Sequence, residues 1–176
     1  MPNTAEINTA PTRAVATETL PGAASDALTL AHLQTESQIR AAFSVMHQLR
    51  PHLKDATDFL TRVQRMQQIA GYRILAVMNN TDVISVAGYR LQENLIYGPF
   101  LYVDDLVTLE TARGQHCGAK LLRALQQIAI EARCTRLVLD TGLANSLAQR
   151  FYFRQGLLSS ALHFSMPLSD SQGGYR

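Results

Sequence analysis

Two neighbouring stretches of the chain hold residues whose types and spacing could do chemistry. Adjacent carboxylates, Asp104 and Asp105, interrupt the apolar run from Tyr102 to Thr108. A polar turn with two glycines, Arg113 to Gly118, follows and opens a helical pattern. The first N–H groups of a helix lack internal partners and lie at the positive end of its dipole, so they bind phosphate oxygens. This stretch therefore predicts a binding site for a phosphorylated cofactor. The neighbouring carboxylates are energetically costly in an apolar strand unless they are paired or take part in binding or catalysis.

The apolar periodicity of the chain predicts the elements that position this stretch. Thr35 and Gln38 have the spacing of a capping box, and Gly71 is a typical C-cap for a second helix that begins at Asp55 or Thr57. A hairpin, a helix, a strand and a helix follow, and a closing strand is predicted over His163 to Leu168. Because a strand–helix–strand crossover pairs in parallel and a hairpin does not, the fold class is α/β with a central mixed sheet and helices on both faces.

Length and composition favour one globular domain. The chain has 176 residues, of which 47% are hydrophobic, enough for one sizeable core. We expect a flexible tail over 1–27, a domain over 28–170 and a short C-terminal tail over 171–176. The tail over 1–27 could be a contact arm in a homodimer, although nothing in its residues favours that over disorder.

Charge and residue composition argue against a nucleic-acid-binding protein, a membrane protein and a metalloprotein. The net charge of +2 comes without a basic run, so we expect no nucleic-acid partner. There is no apolar run long enough to cross a membrane and no secretory signal, so we expect a cytoplasmic protein without a membrane partner. Cys117 and Cys134 would lie at opposite ends of one helix and are predicted to be free thiols. The histidines show no metal-ligand spacing, so no metal is expected.

Two motifs carry a resemblance to a known family. The sequence Arg-Gly-Gln-His-Cys-Gly over 113–118 resembles the Arg/Gln-x-x-Gly-x-Gly/Ala fingerprint of the GCN5-related N-acetyltransferases, with His116 at the first glycine position. The stretch Asn-x-x-Ala-x-x-Phe-Tyr-x-x-x-Gly-Leu over 145–157 resembles a second segment of that superfamily, with Leu157 in place of the usual Phe. The resemblance covers roughly residues 29–168. It implies an enzyme that uses acetyl-CoA to acetylate an amine, with no metal.

The resemblance also implies roles for individual residues. Asp104 matches the position of a base that deprotonates the amine through water, and Asp105 would help to attract a cationic substrate. Tyr152 would return a proton to the leaving thiolate, since a phenol with a pKa near 10 is well matched to an alkyl thiol. The positions implied to bind the cofactor are Leu106, Val107, Thr108, Arg113, Gly114, Gln115, His116, Cys117, Gly118, Ala119 and Asn145.

Several alternatives stay open at the level of sequence. The two aspartates could form a structural pair satisfied by backbone or arginine, and Tyr152 could be a core residue. Because His116 replaces a glycine, a protein that binds acyl-CoA as a sensor without turnover is the second hypothesis. A nucleotide-binding module is disfavoured, since the chain lacks a Walker lysine and the Rossmann glycine spacing. The acceptor could be a polyamine, an amino-sugar antibiotic, or a lysine or N-terminal amine of a protein.

Overall fold

In the computed structural model, which describes residues 28–166 and 168, five strands form one sheet. Their order across the sheet follows their order in the chain, and neighbours are antiparallel except the last two, which are parallel. The predicted mixed sheet and its parallel crossover are therefore confirmed. The strands are β1 (Thr29–His32), β2 (Arg73–Asn79), β3 (Asp82–Asn94), β4 (Gly98–Thr108) and β5 (Arg136–Leu139).

The helices begin and end where local side chains satisfy their backbone ends. They are α1 (Glu36–Ala41), α2 (Phe43–Leu49), α3 (Ala56–Ala70), α4 (Cys117–Glu131) and α5 (Ser146–Arg154). The capping box of Thr35 and Gln38 is present at the start of α1, and the Asp55 carboxylate caps α3. Gly71 ends α3 in the left-handed conformation at φ 62°, as a glycine C-cap does. The predicted first helix is split in two at Ala42.

The sheet separates two apolar clusters. One cluster joins α1, α2 and α3 to one face of the sheet, with Ile39, Val45 and Phe59 among its buried residues. The other joins α4 to the opposite face, with Leu121 and Leu125 fully buried. Helices therefore cover both faces, and the two clusters hold the sheet rigidly between them.

Strand β4 loses its partner on one side halfway along its length. Its pairing with β5 runs only from Phe100 to Val103, whereas its pairing with β3 continues to Thr108. The sheet thus opens between β4 and β5 where α4 begins, and the second half of β4 has one edge without a strand. Unpaired strand edges present N–H and C=O groups that can bind an extended ligand.

The predicted closing strand is wrong over 163–166, where the structure forms no strand. These residues instead lie across a cavity, and His163 Nδ1 is 3.0 Å from Asp140 Oδ2 just after β5. The predicted tails over 1–27 and 171–176 lie outside the described residues. Within 28–166, no helix is both long and apolar enough to cross a membrane.

Candidate active site

A β-bulge places both adjacent aspartates on one face of the sheet. Gly88 on β3 is opposite Asp105, and Tyr89 is opposite Val103, so Asp104 is an extra residue without a partner on β3. Adjacent strand residues ordinarily point to opposite faces. Strand periodicity alone would turn Asp104 and Asp105 to opposite faces, but the bulge turns both toward one cavity.

Asp105 is held by a buried hydroxyl and an arginine. It is 8% exposed, its Oδ2 accepts a 2.7 Å hydrogen bond from the Tyr72 hydroxyl, and its Oδ1 accepts a 2.8 Å bond from Arg50 Nε. Burial, and then the charge of Asp105, raise the pKa of Tyr72 well above its ordinary value, so this hydroxyl stays a donor. Gly88 makes room for the ring, since a Cβ there would stand 1.8 Å from the Tyr72 oxygen. Both oxygens of Asp105 are thus occupied.

Asp104 forms a two-point ion pair with Arg90 on the neighbouring strand. Arg90 Nε donates to one carboxylate oxygen at 2.8 Å and Nη2 donates to the other at 2.5 Å. The Asp104 side chain remains 17% exposed and lines the cavity. Each carboxylate oxygen can accept more than one hydrogen bond, so the pair leaves Asp104 able to accept from water or substrate.

The turn before α4 presents an open helix N-terminus. No side chain caps this end, and Arg113 to His116 are exposed. His116 adopts φ 60°, the left-handed conformation that favours glycine, so the backbone keeps the path a glycine would give it. The N–H groups of Cys117, Gly118 and Ala119 open the helix. This geometry fits a diphosphate, which needs several N–H donors and little side-chain crowding.

Around the N-terminus of α4, some residues pack against the protein and others are exposed. The tip of the Phe151 ring packs against Gly118. A Cβ at position 118 would stand 3.2 Å from Phe151 Cζ. Ala119 is buried beneath the turn, and Arg113 is exposed within 3.8 Å of Glu110. Residues 113–118 thus form one continuous turn into α4, and their binding of a cofactor stays a prediction.

Cys117 is not poised as a thiolate. A helix N-terminus ordinarily favours the thiolate form, and Cys117 is among the positions predicted to bind the cofactor. In the structure its side chain packs into the α4 cluster at 2% exposure, and burial raises the pKa of the thiol. Its contribution to a phosphate site would come from its backbone N–H alone.

The unpaired edge of β4 leads from the aspartates to this turn. Leu106 and Val107 are partly buried on opposite faces, and the Thr108 hydroxyl lies 2.7 Å from the Ser85 hydroxyl. Their side chains are therefore engaged with the protein, while their backbone on the β5 side has no strand partner. An extended arm with amide groups could pair with that backbone as a further strand would.

A cavity of about 1230 Å³ borders the two aspartates, and none of residues 106–119 lines it. Its walls come from the end of α2, from α3, β4, β5 and α5, and from residues 156–164. Tyr152 on α5 and both aspartates line it, so the two predicted catalytic positions, Asp104 and Tyr152, and the predicted substrate-binding Asp105 border one space. Burial raises the pKa of the Tyr152 phenol above 10, which keeps its proton in place at neutral pH.

Asn145 lies apart from this cavity. Its side-chain oxygen accepts from Ala148 N at 3.2 Å and caps α5, so its contact with the protein is structural. Sequence reasoning left arginine partners of the aspartates open without naming them, and it missed Tyr72. The arginines are Arg50 and Arg90, and the partners come from up to 55 positions away. The signal that could have found them is Gly88, because an isolated glycine within a strand pattern marks a bulge or a close approach. The described residues contain no cluster of metal-ligating side chains.

Comparison with known proteins decides the family. The profile described as Acetyltransferase (GNAT) family matches residues 39–157. The chain belongs to this family. This acetyltransferase is 28% identical over 120 residues to the uncharacterized N-acetyltransferase YhdJ of Bacillus subtilis, covering 68% of this chain and 84% of that protein. It is 29% identical over 98 residues to an aminoalkylphosphonate N-acetyltransferase of Salmonella typhimurium, covering 55% of this chain and 62% of that protein.

Solved structures share the fold of this acetyltransferase. A putative acetyltransferase from Agrobacterium tumefaciens superposes with a TM-score of 0.70 at 20% identity, covering 79% of this chain and 99% of that one. An aminoglycoside N-acetyltransferase, AAC(6')-Iy, solved in complex with CoA, superposes with a TM-score of 0.71 at 14% identity, covering 84% and 100%. At these identities the likeness establishes the architecture.

Proposed function

We propose that the protein transfers the acetyl group of acetyl-CoA to the primary amine of a small molecule by direct attack in a ternary complex. The observation that carries the proposal is the open N-terminus of α4 beside the unpaired half of β4. Those two features supply N–H donors for a diphosphate and backbone groups for the amide-bearing arm of coenzyme A. Family membership supports acyl transfer, and two relatives at similar identity are N-acetyltransferases by name.

The cavity residues divide the proton chemistry between two positions. Asp104 would take the proton of the acceptor ammonium through a water, because it is the more exposed of the two carboxylates, with 17% of its side chain exposed against 10% for Asp105. The amine nitrogen would then form a bond to the acetyl carbon as the carbon–sulfur bond breaks. Tyr152 would give its proton to the leaving thiolate, and the second proton that the nitrogen loses as the amide forms would return to Tyr152 through water. Asp104 would release its proton to solvent. No covalent intermediate on the protein is needed.

The experiment that tests the proposal measures binding and turnover separately. Titration calorimetry with acetyl-CoA should give a saturable heat, and a thiol reagent should report free CoA when an amine panel is added. Gln115→Glu places a negative charge in the turn, so it should weaken acetyl-CoA binding severalfold at low salt and less at high salt. Gln127→Glu makes the same change farther along α4, on an exposed position, and should bind as the parent does.

The results of the calorimetry and of the thiol-release assay distinguish three alternatives to the proposed function and site. If acetyl-CoA gives neither a heat nor a thermal shift, the proposed function is wrong. If acetyl-CoA binds but no amine in a broad panel releases thiol, the protein is a non-catalytic acyl-CoA-binding member of the family. If the two glutamate variants weaken binding equally, the diphosphate is held somewhere other than the turn before α4.

A further inference from the structure

The carboxylates that line the cavity are all paired within the protein. Asp104 and Asp105 have the arginine and tyrosine partners described above. The third, Asp140, accepts from the Tyr102 hydroxyl and lies 3.0 Å from His163 Nδ1. The negative charge of the two aspartates, which predicted a cationic acceptor from the sequence, is therefore already compensated within the protein.

Two of the arginines that line the same cavity have N–H donors without an acceptor in the described part of the protein. Arg65 on α3 is exposed and has no ion-pair partner among the described residues. Arg50 uses Nε and Nη2 on the aspartate stretch, but its Nη1 has no acceptor there and its side chain is 41% exposed. Arg62, on the same face of α3, is already held by Asp58 at 2.9 Å. The unsatisfied charge that faces the cavity is therefore positive.

We propose that the acceptor is an amine that also carries an oxyanion, a carboxylate or a phosphonate, bound by Arg50 and Arg65. This inference rests on the proposed function and names the substrate class of the same site. A guanidinium presents its N–H groups in a planar fork that matches such oxyanions, and it keeps its charge at any working pH. The oxyanion would sit against the end of α2 and against α3. Because Arg50 Nη2 is 3.0 Å from the backbone oxygen of Asp104, the amine of the same short molecule would be within reach of Asp104.

The test compares four amines of similar length whose far ends differ in charge. They are 2-aminoethylphosphonate, β-alanine, ethanolamine and 1,3-diaminopropane, each assayed by release of CoA thiol from acetyl-CoA. The two anionic acceptors should have a kcat/KM at least about tenfold higher than the neutral and cationic ones. Equal rates across the four, or a preference for the diamine, would overturn the inference and leave the acetyltransferase function standing.

A variant pair locates the recognition. Arg65→Gln should raise the KM for 2-aminoethylphosphonate about tenfold, leave kcat nearly unchanged and leave the KM for ethanolamine unchanged. Arg123→Gln removes an exposed arginine from α4, away from the cavity, and should match the parent with every acceptor. If Arg65→Gln behaves as the parent does with the anionic acceptors, the assignment of the site is wrong.

A binding measurement keeps the inference testable apart from turnover. 2-Aminoethylphosphonate is titrated calorimetrically into the CoA-bound protein, parent and Arg65→Gln. A heat that the variant weakens supports the oxyanion site even if no amine is acetylated. Absence of any heat in a protein that binds acetyl-CoA would overturn the site alone, and absence of acetyl-CoA binding would overturn the function.

Discussion

Replacing Gly88 by alanine tests whether the packing behind Asp105 is as tight as the structure indicates. A Cβ at this position would stand 1.8 Å from the Tyr72 oxygen, 2.4 Å from Cζ and 2.8 Å from Cε2. All three are too close, so the ring must move by an ångström or more (about 1.5 Å, from ordinary contact distances). Such a shift breaks the 2.7 Å bond between the hydroxyl and Asp105.

The cost can be worked from these contacts. A lost hydrogen bond to a buried charged acceptor costs about 1.5–3 kcal/mol, and overpacking adds about 1–3 kcal/mol. Alanine offsets roughly 0.5–1 kcal/mol of this because it loses less backbone entropy in a strand than Gly88 does. We expect Gly88→Ala to lower the free energy of unfolding by about 2–5 kcal/mol, measured by urea denaturation.

A double-mutant cycle isolates the clash from the other effects. Tyr72→Leu removes the ring atoms that the new Cβ would meet, so in that background Gly88→Ala should cost about 1 kcal/mol or less. Tyr72→Phe serves as the control for the hydrogen bond, since it keeps the ring but not the hydroxyl. An equal cost of Gly88→Ala with and without the Tyr72 ring would refute the packing argument.

Three further substitutions test the roles assigned in the site. Tyr152→Phe should lower kcat about 100-fold with little change in acetyl-CoA affinity, whereas Tyr89→Phe should leave kcat unchanged. Because burial raises the pKa of the Tyr152 phenol, the parent should keep this advantage to a higher pH than an exposed phenol would allow. Asp104→Asn should lower kcat about 100-fold with little change in acetyl-CoA affinity, and a kcat equal to that of the parent would remove Asp104 as the base. His116→Gly should raise the free energy of unfolding by roughly 0.5–1 kcal/mol, while His116→Ala should not, as urea titrations would show.

The elements that depend on local signals could be predicted from the sequence. The Thr35 capping box, the Asp55 cap and the Gly71 C-cap each involve residues within a few positions, and all are present. The polar turn before α4 could be predicted for the same reason, since its glycines and the amphipathic helix behind it are contiguous. Helix ends that depend on such local contacts are the features of a fold that a single sequence predicts most reliably.

The arrangement of charges could not be predicted, because it depends on a register between strands. Strand periodicity alone assigns Asp104 and Asp105 to opposite faces, and only the slip opposite Gly88 brings them together. Their arginine partners come from α2 and β3, where nothing in the local sequence distinguishes Arg50 or Arg90 from solvent-exposed arginines. The prediction of a closing strand failed for a related reason, since an apolar pattern shows that residues can pair and not which edge they reach.

The bulge in β4 connects the opening of the sheet to the charge of the cavity. At Val103 the strand loses β5, and at the next residue it slips against β3, so both aspartates emerge where the sheet is open. Two carboxylates on one face repel each other unless compensated, and here the compensation is internal. To draw Arg50 away from Asp105, a cationic acceptor would forfeit about 1.5–3 kcal/mol for each charge-assisted bond it replaces. An acceptor with an oxyanion binds the unused side of the same guanidinium and adds to the network, which is why the geometry favours it.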